Sequence, residues 1–111
     1  MSNNEEIALL QTISPIDGLV YVERALATEQ EIEQSIALSR SAQKQWQTTS
    51  IVERASICEL AVQYFESNQA QIVEEISWQM GRPLVYGGSE IGGLAERARY
   101  MINIAEEALA D

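Results

Sequence analysis

Cys58 is the single thiol of the chain, and a thiol becomes a nucleophile only where a neighbouring base or positive charge holds it as thiolate. The sequence contains no histidine. Serine and cysteine triads with an imidazole base, histidine-bound metals and imidazole proton shuttles are therefore outside its repertoire. Cys58 also falls on the apolar stripe of a helical pattern, which predicts a buried, inert thiol. A lone cysteine forms no intrachain disulfide and no two-cysteine zinc site, in keeping with a reducing compartment.

The carboxylates offer little more. Glu74-Glu75 and Glu106-Glu107 are adjacent pairs, and adjacent helix positions point in different directions instead of converging on one substrate. Both pairs are expected on the solvated surface. Without histidine, the carboxylate-histidine spacing of a di-metal bundle is excluded. The stretch Tyr86-Gly87-Gly88-Ser89-Glu90-Ile91-Gly92-Gly93 invites comparison with phosphate cradles but contains neither G-x-G-x-x-G nor G-x-x-x-x-G-K-[ST]. No strand precedes it and no lysine follows to meet a phosphate, so it reads as a loop and helix start where Gly92 and Gly93 permit close backbone approach. The residues by themselves thus predict no catalytic, metal-binding or cofactor-binding site in this chain.

The elements that would position these groups begin with a hairpin over residues 9–24. Two apolar runs, Leu9 to Ile13 and Leu19 to Val22, flank Ser14-Pro15-Ile16-Asp17-Gly18. There Pro presets φ, Asp bonds its own backbone and Gly18 accepts positive φ. A lone two-stranded ribbon is marginal in water, so Val20, Tyr21 and Val22 should lean on helices or on another chain. Helix starts follow at three capping boxes, Thr28 with Glu31, Ser50 with Glu53, and Asn68 with Gln71. The first helix runs to about Trp46, burying a narrow stripe of Ile32, Ile36, Ser39, Ala42 and Trp46. The second carries Ile51, Ala55, Cys58, Val62 and Phe65 at steps of 4, 3, 4 and 3 and is expected to be the best buried. The third groups Ile72, Val73, Ile76 and Met80 and stops at Gly81-Arg82-Pro83. A loop from Gly81 to Gly88 leads to a last helix with Leu94, Ala98, Met101, Ala105 and Leu109 on its apolar face. Tyr21, Trp46, Trp78, Tyr86 and Tyr100 are too scattered to define a cofactor box and read as packing or interface residues.

The fold class is mainly α with an N-terminal β-hairpin: a flexible 1–8, a hairpin over 9–24 and a helical part over 28–111. Across 111 residues, seven Lys and Arg against seventeen Asp and Glu leave a formal charge of −10 at pH 7. That balance repels phosphate backbones and anionic lipid, which excludes nucleic acid and membrane surfaces as partners. The first six residues carry no positive charge and the longest apolar stretch near them is Ile7 to Leu10, so no signal peptide or membrane span is expected and the cytoplasm is the expected location.

The order of these features resembles the N-terminal region of the NAD(P)-dependent aldehyde dehydrogenase superfamily. Ser14-Pro15-Ile16-Asp17-Gly18-Leu19-Val20 is similar to the family's Asn-Pro-x-Thr/Asp-Gly-x-Val turn, with Ser where Asn is usual. Ala42-Gln43-Lys44-Gln45-Trp46 is like its Ala-x-x-Ala-x-x-x-Trp segment, with Ser39 in the first Ala position. Glu53-Arg54-Ala55 opens the second helix, and Met80-Gly81-Arg82-Pro83 looks like the family's Gly-Lys/Arg-Pro turn. The last helix, with Glu90 near its start and Arg97-Ala98-Arg99-Tyr100-Met101 in its body, is similar to the one before the first central strand of the cofactor domain.

The resemblance implies the N-terminal fragment of an α/β aldehyde dehydrogenase fold, supporting the cofactor domain and shaping the substrate entrance. In the family a thiolate attacks the aldehyde, hydride passes to the nicotinamide of NAD or NADP, and a glutamate-activated water hydrolyses the thioester. None of those roles has a matching position here, and Cys58 is not that cysteine. The isolated chain is accordingly expected to bind no cofactor and to be inactive, as the product of a split reading frame, an engineered truncation or proteolysis. One carry-over is residue-specific: alignment on Arg99-Tyr100 puts Ser89 and Gly93 at the positions that face the substrate entrance, where small side chains leave it wide. The apolar surfaces should drive self-association or binding of the C-terminal part of the enzyme. The alternative is a standalone helical interaction module built on the same scaffold; a helical bundle with its own cofactor ranks behind both.

Overall fold

In a computed structural model, which describes residues 8–110, the chain runs from a hairpin into four helices. Strand β1, Leu9–Ile13, pairs antiparallel with β2, Val20–Ala25, in the register Leu9 to Ala25, Gln11 to Glu23, Thr12 to Val22 and Ile13 to Val20. Tyr21 is the extra residue of a bulge at that last step, which turns its ring out of the ladder. The connecting turn is held as its residues foretell. Gly18 has φ 74°, and the Leu19 amide donates to Asp17 Oδ1 at 2.9 Å. The expected flexible N-terminus lies, up to residue 7, outside the described residues.

Helix α1, Glu29–Trp46, opens on a complete capping box: the Glu31 amide donates to Thr28 Oγ1 at 3.2 Å and the Thr28 amide to Glu31 Oε2 at 2.8 Å. Those bonds from the Thr28 backbone and hydroxyl hold the Glu31 carboxyl below the usual range. Helix α2, Ile51–Ser67, has only half of the expected box, the Glu53 amide donating to Ser50 Oγ. The third expected box does not form. Asn68 closes α2 and opens α3, Gln69–Met80, with one residue between them, and its side chain donates backward to the Tyr64 carbonyl at 2.8 Å. Gly81, φ 74°, caps α3 in the left-handed region as its position requires.

Helix α4, Leu84–Ala108, corrects the expected loop from Gly81 to Gly88: the glycine-rich segment is helical throughout and the connection is only Gly81 to Pro83. A Cβ at Gly87 would collide with both γ-methyls of Val73 on α3, so glycine here serves close helix approach and not a loop. The buried residues of α4 are Gly87, Ile91 and Ala95, and it, not α2, is the best-buried helix; α2 buries Val62 alone. The expected face of α4 is correspondingly displaced, since Met101 and Leu109 stand exposed. Helices α2, α3 and α4 pack together, whereas α1 buries none of its residues and extends away, leaving Ile32 and Ile36 half exposed.

The result is flat and open. The radius of gyration is 19.3 Å, against roughly 13 Å for a compact chain of this size, and the extents are 55 × 47 × 19 Å. The accessible surface is 9304 Å² where a compact 12.4 kDa monomer would show about 6,100 Å². No helix among the described residues is long and apolar enough to cross a membrane.

Candidate functional site

Two of the sequence motifs meet in space. Ser14, 2% exposed, donates from Oγ to the Trp78 carbonyl at 2.6 Å and accepts the Ile16 amide at 3.2 Å, tying the hairpin turn to the end of α3. Pro15 lies against Gly81, where an added Cβ would come within 3.0 Å of Pro15 Cγ. Tyr21, released by the bulge, stacks on Trp78 with centroids 6.1 Å apart and planes 8° from parallel. The Ser-Pro-x-Asp-Gly turn and the Gly-Arg-Pro turn are thus one junction, and the hairpin leans on α3 as the marginal stability of a lone ribbon demands.

The Gly-Arg-Pro turn in turn places Arg82 beside the first turns of α4. Its Nη2 lies 3.0 Å from Glu90 Oε1 and 3.4 Å from Ser89 Oγ, and its Nε donates to the Tyr86 carbonyl. Ser89 Oγ donates to the same carbonyl at 2.7 Å. Ser89 and Gly93, one helical turn apart, share a face opposite the buried Gly87-Ile91-Ala95 stripe; Ser89 is exposed and Gly93 half-buried. A Cβ at Gly93 would stand 3.5 Å from Arg97 Nη1, an ordinary contact, so this position has room for a side chain.

Further along, Arg99 binds α4 to α2. Its guanidinium makes paired bonds of 2.7 Å to both Glu66 oxygens and meets Glu59 Oε1 at 2.9 Å. The Arg99 bonds hold both carboxyls below the usual range and push the guanidinium pKa up. Glu59 and Glu66 are seven apart, hence on one face of a helix, which was the available sequence signal for this pairing.

Cys58 is exposed, which corrects the buried thiol expected from its stripe. It borders a groove with Trp46, Arg54 and Met101, because the apolar stripe of α2 is wider than α4 covers. Among the described residues no three His, Cys, Asp or Glu side chains stand together as a metal site. A dinucleotide does not fit this arrangement either. Its pyrophosphate needs free amides at a glycine turn between strand and helix, whereas these glycines lie inside α4 with their amides in the helical ladder, and the residue before α4 is Pro83.

A profile described as the Aldehyde dehydrogenase family matches residues 2–111. An aldehyde dehydrogenase of Vibrio cholerae is 34% identical over 71 residues, 64% of this chain and 14% of the relative. An N-succinylglutamate 5-semialdehyde dehydrogenase of Legionella pneumophila is 27% identical over 99 residues, 89% of this chain and 20% of the relative. One of the same name from Acinetobacter baylyi is 33% identical over 73 residues, 66% and 15% respectively. The chain therefore spans about one fifth or less of the length of these curated relatives. No solved structure gives a significant match. With the hairpin junction, the Gly-Arg-Pro turn and nearly every residue inside the family match, the chain belongs to the aldehyde dehydrogenase family, as an N-terminal segment of its larger members.

Proposed function

We propose that this chain is the scaffold on which an aldehyde-oxidising enzyme builds its cofactor domain and one wall of its substrate entrance. The observation that carries the reading is the family match over residues 2–111. The enzyme as a whole oxidises an aldehyde to a carboxylic acid with NAD or NADP, and the residues for that chemistry are supplied by the remaining polypeptide. The open surface of α1 and the groove beside it supports this, since an area so far above that of a compact monomer calls for a covering partner. A cytoplasmic location is part of this proposal, and the lone free thiol, which suits a reducing compartment, supports it.

Ser89 and Gly93 form the entrance wall in this reading, with Arg82 holding the first turns of α4 in place through Ser89 and Glu90. The small side chains admit a bulky aldehyde. The pure chain, assayed with aldehydes of several sizes and either NAD or NADP, is expected to form no reduced cofactor; sustained NADH formation would refute the assignment of the chemistry to the remaining polypeptide. Reading the DNA beyond the Asp111 codon in all three frames tests the larger claim. A cofactor-binding strand and a later cysteine are expected, and unrelated sequence in every frame would overturn it.

A further inference from the structure

The last turn of α1, the N-terminal half of α2 and the C-terminal half of α4 enclose a groove of about 260 Å³ bordered by Trp46, Arg54, Cys58, Met101, Ala105 and Leu109. Met101 is 63% exposed and Leu109 60%, so the rim is apolar and open. Arg54 is the exception in this lining. Its Nε is shut off from solvent and has no hydrogen-bond partner among the described residues. Arg82 and Arg99, by contrast, each hold carboxylates of their own chain, Glu90 for the first and Glu59 with Glu66 for the second. No acceptor for Nε lies within reach among the described residues, and a guanidinium is best satisfied by the two parallel oxygens of a carboxylate, which from the groove side would meet Arg54 through its two outer Nη groups.

We infer that this groove is the docking site for a segment of the enzyme's remaining polypeptide that lays aliphatic side chains along Met101 and Leu109 and presents an Asp or Glu carboxylate to Arg54. The inference rests on the reading of the chain as part of a larger aldehyde dehydrogenase. Charge and length select this occupant over a second copy. A second copy would bring another net charge of −10 against this one, while the curated relatives hold some four fifths or more of their length outside the matched segment.

The test uses the 111-residue chain and overlapping 20-residue peptides covering the Vibrio cholerae aldehyde dehydrogenase outside its 71 matched residues. Binding is followed by calorimetry, and occupancy of the groove by the rate at which iodoacetamide alkylates Cys58. A peptide carrying Asp or Glu beside aliphatic residues is expected to bind and to slow alkylation. Arg54→Met should weaken that binding about tenfold or more, Arg54→Lys less, and replacing the peptide's acid by its amide should weaken binding to the unaltered chain equally. The last measurement stands even if Arg54→Met disturbs the fold. Three results overturn the inference: no peptide binds, binding is indifferent to both the arginine and the acid, or the groove is closed by a dimer that Arg54→Met dissolves. Each of them leaves the downstream reading-frame test of the family assignment untouched.

Discussion

Alanine at Gly87 and alanine at Gly92 should have opposite effects, although both glycines lie inside α4. In an ordinary helix interior Gly→Ala stabilises by about 1 kcal/mol, because alanine loses less backbone entropy. At Gly92 nothing lies within 4 Å of the added Cβ, so Gly92→Ala should realise that gain. At Gly87 the same methyl meets both γ-methyls of Val73, and it stands 3.1 Å from Val73 Cβ itself. Rotating the valine cannot relieve a contact with its Cβ, and valine in a helix has one strongly preferred rotamer. Relief must come from separating α3 and α4, an overpacking cost of roughly 1–3 kcal/mol. The propensity gain cancels between the two variants, so the difference between them is that overpacking cost alone. At about 4–8 °C per kcal/mol for a domain of this size, Gly87→Ala should melt well below Gly92→Ala when helicity is followed by circular dichroism against temperature. Val73→Ala in the Gly87→Ala background should recover part of the loss. Equal stabilisation by both alanines would refute the claim that Gly87 exists for close approach.

Ser14→Ala should destabilise by about 1 kcal/mol or more, because it strips the part-buried Trp78 carbonyl and the Ile16 amide of one shared partner; urea unfolding with an unchanged midpoint would contradict it. Glu59 and Glu66 bind protons less readily in the folded chain than in the unfolded one, so their pairing with Arg99 supports the fold at neutral pH and is lost as pH falls through their lowered values. The double variant Glu59→Gln with Glu66→Gln should flatten the acid limb of a melting-temperature profile, where pH falls below the ordinary glutamate value of about 4.3, and an unaltered limb would remove Arg99 from the account. Cys58 should react with a thiol reagent at full stoichiometry in the native chain, and reaction only after denaturation would show it covered. Gly93→Leu in a full-length enzyme carrying this segment should lower kcat/KM for bulky aldehydes relative to small ones, the side chain being free to occupy the entrance; an unchanged size preference would dismiss Gly93 from the wall.

Local chemistry was sufficient for the hairpin, for the capped start of α1 and for the stop of α3. Pro15, Asp17 and Gly18 define a turn by their own torsions and bonds, and Thr28 with Glu31 closes a box within four residues. The family was legible because such motifs recur in a fixed order along the chain. What only the tertiary structure decided involves partners distant in sequence. Glycine ranks poorly in helices, so the chain up to Gly88 reads as a loop until Val73 is seen to need the space that Gly87 leaves. Periodicity marks α2 as amphipathic but cannot say how much of its stripe α4 covers, which is why Cys58 and the groove beside it stand open. The pairing of Arg99 with Glu59 and Glu66, and the want of a partner for Arg54 Nε among the described residues, depend on how two helices are set against each other. Spacing within one helix records a face, and only the neighbouring helix determines what that face meets.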